Sequence, residues 1–286
     1  MTHARILTLN VQNLEGDPRR QEMLQKGIEE LRPDLVSLQE VVASPERDQL
    51  ADLLSDTGLS GAHQAQTLAY EPPWAARYGG TALASRWPFR VVEALDLRQI
   101  DATDVPWCTL AAVVEVPEAG EMLFIATTAS WRLDASAARE RQALAVADLD
   151  SRQRRVVPSV IAGDLNADPD AASIRFLTGR QSLAGQSVYY QDAWAARGEG
   201  PGYTWTCDNP AAHHVMEQMI RQESHRHRFD YVLVGSAHAH TERVCRIVSA
   251  RLAFDHPNDG VWASDHFGVV VDVEIDTVPS SAPATR

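Results

Sequence analysis

The stretch "VIAGDLNADPD", Val160 to Asp170, decides how the rest of the chain is read. An apolar run ends at Gly163, and three carboxylates and an amide (Asp164, Asn166, Asp168 and Asp170) follow within seven residues. A short apolar run closed by turn formers is the pattern of a buried strand. A carboxylate at the end of such a strand has left water. Without a proton, a cation or a metal to compensate it, the cost is on the order of several kcal/mol. Asp168 and Asp170 flank Pro169 just ahead of a helical pattern and read as caps. Asp164 and Asn166 sit at the end of the strand itself.

Three more polar clusters sit at strand ends: Asn10 in "LTLNVQN", Glu40 in "LVSLQEV", and Asp265 with His266 in "ASDHFGVVVDV". Each strand is apolar up to its polar group. If the strands deliver these groups to one rim, the result is an oxygen-rich pocket with one imidazole, suited to Mg²⁺ or Mn²⁺ rather than zinc. Taken singly, each residue reads better as a turn former or a cap. Their joint occurrence is what carries the inference.

Alternation of apolar and polar residues predicts a strand over 5–11, and Asp17 and Pro18 read as N-cap and first residue of a helix. Met23, Leu24, Ile28 and Leu31 recur at helical spacing before Pro33 stops the run. Further strands are expected over 34–40, 80–86, 109–116, 122–128, 159–164, 229–235, 243–250 and 267–275. Further helices are expected over 46–54, 135–152 and 171–177. The strand–helix–strand start implies a parallel crossover. The expected architecture is α/β or α+β with mixed sheets, in a single domain over 1–276 followed by a disordered Pro/Ser/Ala/Thr-rich tail, 277–286.

Hydrophobic content of 44% with 23% charged residues is that of a globular protein, and no apolar run is long enough to span a bilayer. The start "MTHARILTLNVQNL" goes directly into a strand pattern rather than a secretory leader, so a cytoplasmic location is expected. Cys108, Cys207 and Cys245 are odd in number and far apart, which fits reduced thiols. The net charge of −13 opposes attraction to a long nucleic acid. Lys26 is the single lysine among 26 basic residues, leaving 25 arginines, the side chain suited to bidentate phosphate contacts.

"LTLNVQN", "LVSLQEV", "IAGDLNADPD", "RFDYVLV" and "ASDHFGVVVDV" together resemble the ordered motifs of the endonuclease/exonuclease/phosphatase superfamily, over about Leu7 to Val273. "GGTALASRWPF" and "GYTWTCDNP" resemble a bacterial subgroup. The resemblance implies a four-layer α/β sandwich, with two mixed β-sheets face to face, helices outside and the active site at one rim. It implies Glu40 as the main metal carboxylate with Asn10 and Asp265 beside it. Asp164 would orient or deprotonate the attacking water, Asn166 would hold a phosphate oxygen, and His266 would contact the phosphate, steadied by Asp230.

One departure stands out. Many members carry a Thr-His pair where this chain reads Thr128-Ala129 in "FIATTASWRLD", and no histidine occurs between His63 and His213. Alanine donates no proton, and a lost general acid commonly costs about 10²- to 10⁴-fold in rate. Three explanations stay open. The role has moved to Tyr78, Thr128, Ser130 or a histidine of "HHVMEQMIRQESHRHRF"; or the substrate has a good leaving group or undergoes non-hydrolytic chemistry; or the chain is an inactivated variant. The histidine-rich stretch 211–228 is expected to be a solvated, partly mobile loop on the substrate side. Trp131 and Trp205 are candidates for stacking on a flat substrate, and Arg77 and Arg139 for phosphate contacts.

The expected function is divalent-metal-dependent hydrolysis of a small or specialised phosphate ester. The alternatives are the same metal site diverted to cyclisation or elimination on a secondary metabolite, and a binding module without turnover. Long nucleic acid is a less favoured partner, and the oligomeric state is not legible.

Overall fold

In the computed structural model, which describes residues 1–67, 78–100, 107–221, 224–240 and 242–278, β1 (Thr2–Asn10) and β2 (Leu35–Val41) lie parallel, with Asn10 opposite Gln39. The crossover between them is α1 (Arg20–Leu31). Asp17 turns the chain two residues earlier than a cap would, accepting from Arg19 N–H at 2.9 Å, and the helix itself starts without a side-chain cap. It ends at Arg32, left-handed at φ 49°, because Pro33 has no N–H to continue it. Leu24 and Ile28 bury α1 against Leu7, Leu9, Val36 and Leu38, together with Leu50 and Leu53 of α2 (Gln49–Leu54).

The first sheet is completed by β3 (Ser60–His63), β4 (Gly80–Ser85), β13 (Arg243–Ala253) and β14 (Gly268–Thr277), in the order β13-β14-β1-β2-β4-β3. The second contains β5 (Phe89–Asp96), β6 (Cys108–Val116), β7 (Gly120–Thr128), β8 (Val157–Asp164), β9 (Tyr190–Asp192) and β12 (Asp230–Gly235), in the order β5-β6-β7-β8-β12-β9. Each sheet has one parallel pair, β1/β2 in the first and β7/β8 in the second, so both are mixed. Ile6, Leu35 and Leu83 meet Val114, Phe124, Ala162 and Val232 between the sheets. On the far side of the second sheet, Leu123, Ile125 and Ile161 pack on α3 (Ser136–Gln153) and α4 (Ala172–Leu177). The result is the four-layer α/β sandwich. With both faces of the central strands covered, their sequences run apolar without alternation.

Polar links cross between the layers. Thr81 and Thr128 share a hydrogen bond at 2.7 Å, and Ser37 Oγ donates to Ala162 O at 2.9 Å. The first joins the start of β4 to the end of β7, and the second joins β2 to β8.

Two elements correct the expected loop over 211–228. Residues Pro210–Met219 form a helix, α6, which follows the short α5 (Ala193–Arg197), and β10 (Trp205–Thr206) pairs with β11 (Arg226–His227) as a ribbon. Asn209 caps α6, accepting from Ala211 N–H at 3.0 Å, with Pro210 in the first turn. Ala212 and Met216 bury it against Trp205 and Phe229. The three cysteines form no disulfide with one another, and Cys108 and Cys245 are buried. Among the described residues no helix is long and apolar enough to cross a membrane. Most of the stretch expected as a tail lies outside the described residues, and β14 reaches Thr277.

Candidate active site

Both parallel pairs end at one rim. Asn10 closes β1, and its Nδ2 donates to Glu40 Oε1 at 3.1 Å and, across the sheets, to Asp164 Oδ2 at 3.2 Å. A second amide, Asn13, donates to Glu40 Oε2 at 3.3 Å. β8 and β12 run antiparallel with Asp164 opposite Asp230, which brings a second carboxylate to the same edge. Asp230 Oδ2 accepts from His266 Nδ1 at 2.9 Å, and both residues are buried. Thr204 Oγ1 receives the main-chain N–H of Asp230 at 3.2 Å, and Ser264 Oγ that of His266.

The chain takes tight turns to place these groups. Glu40 (φ 59°), Asn166 (φ 47°), Gln12 (φ 52°) and Asn13 (φ 40°) are all left-handed. Asparagine tolerates that region, whereas for glutamate it costs about 1–3 kcal/mol and marks a position fixed by its surroundings. Two glycines allow the close approach. A Cβ on Gly163 would sit 1.8 Å from Thr127 O, and one on Gly79 (φ +68°) 2.4 Å from the carbonyl carbon of Glu40.

Burial and the neighbouring Asp265 push Glu40 up to about 8, against the Asn10 hydrogen bond. Burial, with Asp230 also raising it and His266 opposing, pushes Asp164 up to about 7. Burial opposes the charge on His266, yet Asp230, Asp164 and Asp265 outweigh it and hold the imidazole well above its ordinary value.

A hard dication fits this donor set. Glu40 and Asp164 hold protons only because burial and like charge penalise their anions, and a bound cation removes that penalty. The side chains of Asp164, Asp230 and His266 also bring potential ligand atoms within 4.8 Å of one another. His266 Nδ1 and Asp230 Oδ2 already satisfy each other, while the Glu40 and Asp265 carboxylates line the cavity. Asp230 Oδ1 is buried without a hydrogen-bond partner.

Above these groups lies a cavity of about 470 Å³. Glu40, Asp164, Asn166, Asp265 and His266 line its polar side, and Trp131, Leu133, Trp205, Val215, Met219 and Phe229 its apolar side. Tyr78 also faces it. Trp131 is 36% exposed, while Trp205 is buried and stacked on Phe229 at 5.7 Å. Gln12, Asn13, Leu133, Val215 and Met219 were not expected here. Asn13 carries a signal in "NVQN", and the two α6 residues carry one in the Asn209-Pro210 cap pair.

Other expected residues lie elsewhere. Arg139 is buried and donates to the carbonyls of Ser130 (3.0 Å), Arg132 (2.6 Å) and Leu133 (3.3 Å). It therefore holds the loop under Trp131 rather than reaching a phosphate. Thr128 bonds Thr81, and Ser130 Oγ accepts from Gln142 at 2.8 Å, so neither hydroxyl lines the cavity. Ala129 lines a separate crevice under α3, and its carbonyl accepts from Asn166 Nδ2 at 3.2 Å. Arg77 lies outside the described residues.

Asp168 does not cap α4. Its Oδ1 accepts from Arg228 N–H at 3.1 Å, and its Oδ2 lies 2.5 Å from His227 Nδ1. His227 Nε2 in turn shares a hydrogen bond with His225 Nδ1 at 2.6 Å. These histidines therefore stack with each other and, through His227, against Trp205 and Phe229.

The chain matches the model of the Endonuclease/Exonuclease/phosphatase family over residues 7–266. It belongs to that family. No curated protein matches it. Among solved structures, this family member is similar to D. rerio TDP2 complexed with single-strand DNA product (TM-score 0.71, 19% identity, 96% of this chain and 100% of that one). It is also similar to an endonuclease/exonuclease/phosphatase from Bacteroides vulgatus (TM-score 0.68, 16% identity, 96% and 100% covered). A third is the human Nocturnin catalytic domain with bound sulfate anion (TM-score 0.65, 20% identity, 96% and 95% covered). At these identities the structures share the fold.

Proposed function

We propose that this chain is a divalent-metal-dependent hydrolase of phosphate esters, of phosphodiesterase, phosphatase or nuclease type, whose substrate has a flat or apolar organic part. The observation that carries the proposal is the Asp230–His266 pair, 2.9 Å apart, whose imidazole lines one pocket with Asp164 and Glu40. Glu40 and Asp265, with Asn10 beside them, would hold Mg²⁺ or Mn²⁺, which supplies charge neutralisation and Lewis acidity at the phosphate. His266, held cationic by Asp230, donates to a non-bridging oxygen. Asp164, with a proton affinity near neutrality, takes the proton of the attacking water. The second N–H of Asn166 fixes another phosphate oxygen without adding negative charge.

The organic part rests on Trp131 and the α6 side chains Val215 and Met219. With net charge −13, a small ester or a short single strand suits the protein better than a long duplex. Tyr78 lines the cavity, and its phenol would take the leaving-group role of the missing histidine. Ala129 also favours a second reading, metal-assisted cyclisation or elimination.

The test is cleavage of bis(p-nitrophenyl) phosphate and a nucleotide panel with Mg²⁺, Mn²⁺ or EDTA, by the parent chain, Glu40→Ala and Ala129→His. Metal-dependent cleavage abolished in Glu40→Ala is expected. Cleavage seen only in Ala129→His would favour the second reading, and cleavage undiminished in EDTA would end the metal reading.

A further inference from the structure

Arg20 opens α1, but its side chain turns back beneath the pocket floor, where the residue is only 2% exposed. Every hydrogen bond it makes goes to a main-chain carbonyl. Nε donates to Ala263 O at 3.0 Å, one terminal nitrogen to Val11 O at 2.6 Å, and the other to Glu15 O. A buried guanidinium facing no carboxylate contrasts with Arg228, equally buried, which grips Asp192 at 2.7 and 3.1 Å.

The three carbonyls belong to the two loops that carry the site. Val11 and Glu15 bracket Gln12 and Asn13, both left-handed, and Ala263 leads into Ser264, Asp265 and His266. The loops also touch directly: Gln12 Oε1 accepts from Asp265 N–H at 3.0 Å, and Ser264 Oγ donates to Asn10 O at 2.7 Å. Asn13 then passes the connection to Glu40. A planar fork reaches three carbonyls in fixed directions, which the point charge of a lysine cannot do. Because Arg20 touches no carboxylate, it places positive charge behind Glu40 and Asp265 without itself occupying their oxygens.

We propose that Arg20 is a positioning residue that staples the loop after β1 to the loop at 263–266, so that Glu40 and Asp265 face the same ion. The metal half of this rests on the proposed function, and the staple itself does not. Arg139 provides a control, being a second buried arginine that donates to loop carbonyls, those of Ser130, Arg132 and Leu133.

The experiment is a Mn²⁺ titration of the whole protein, with free Mn²⁺ followed by electron paramagnetic resonance, for the parent, Glu40→Ala, Arg20→Met, Arg20→Lys and Arg139→Met. Arg20→Met is expected to weaken Mn²⁺ binding by about 10- to 100-fold, as loss of outer supports does at metal sites. Arg20→Lys should fall between it and the parent, and Arg139→Met should stay within about twofold, as distant sites do. In parallel, amide hydrogen exchange should speed up together in segments 10–15 and 262–266 of Arg20→Met. If Arg20→Met does not fold, Arg20→Lys carries the same two measurements with smaller shifts. Parent-like Mn²⁺ affinity in Arg20→Met, with binding lost in Glu40→Ala, overturns the Arg20 proposal alone. A parent chain that binds no Mn²⁺ overturns the metal reading and the metal role of Arg20 with it. Exchange that quickens in neither segment, or in only one, overturns the staple whatever the metal does.

Discussion

His266 and Asp230 depend on each other more than on any other partner. Asp230 is the strongest influence keeping the imidazole charged, and removing it leaves a cation buried next to Asp164. Asp230→Asn is therefore expected to lower kcat by about 10²- to 10⁴-fold, the range for a lost acid–base function. It should also move the alkaline limb of the pH–rate profile to lower pH, because the imidazole then gives up its proton more easily. An unchanged limb would mean that His266 is not held by Asp230. At this scale the sequence was informative wherever a polar residue ended an apolar strand, as with Asn10, Glu40 and Asp164. It was not informative for Arg20 or Arg139, because a buried arginine bonded to carbonyls leaves no pattern that separates it from a surface one.

The elements place those residues through close contacts that only glycine allows. Gly163→Ala would drive a Cβ into Thr127 O between β7 and β8. The expected cost is about 1–3 kcal/mol or more, the range for overpacking, seen as a lower denaturation midpoint. Gly79→Ala should reduce activity more than stability, because its Cβ would meet the backbone of Glu40 and its φ is +68°. Equal losses in both would show that Glu40 tolerates displacement. The central strands and α1 were legible because they are buried on both faces or end in strong stop signals. The edge strands β3 and β9 were not, being only four and three residues long. α6 has apolar residues at helical spacing and a cap, but its two histidines, Glu217 and Gln218 read as solvated loop until the pairing of β10 with β11 set a floor beneath it.

Across the molecule, the crowded site ties stability to pH. Folded Glu40 and Asp164 hold protons up to about 8 and 7, whereas in the unfolded chain they titrate in the ordinary carboxylate range. Between those limits the folded state binds more protons, so their contribution is present at low pH and lost as pH rises through 7 and 8. His266, also raised, acts with the same sign. In EDTA the melting temperature should fall between about pH 5 and 8.5, by about 2–4 °C per kcal/mol lost. Saturating Mg²⁺ should flatten that fall, since a ligand of the folded state at about 100-fold over its Kd adds about 2.7 kcal/mol. Calorimetry in both buffers checks this, and a metal-free melting temperature that rises with pH would contradict it.

By itself the sequence determined which strands are buried, which polar groups end them, and the family to which the chain belongs, because burial pattern and strand-end chemistry are local properties written in order along the chain. Only the tertiary structure decided that Asn10 touches both Glu40 and Asp164, that α6 and Trp131 wall the cavity, and that Thr128, Ser130 and Arg139 turn away from it. Those outcomes depend on which way a side chain leaves the backbone once two sheets are pressed together, and that direction is set by contacts between residues far apart in sequence.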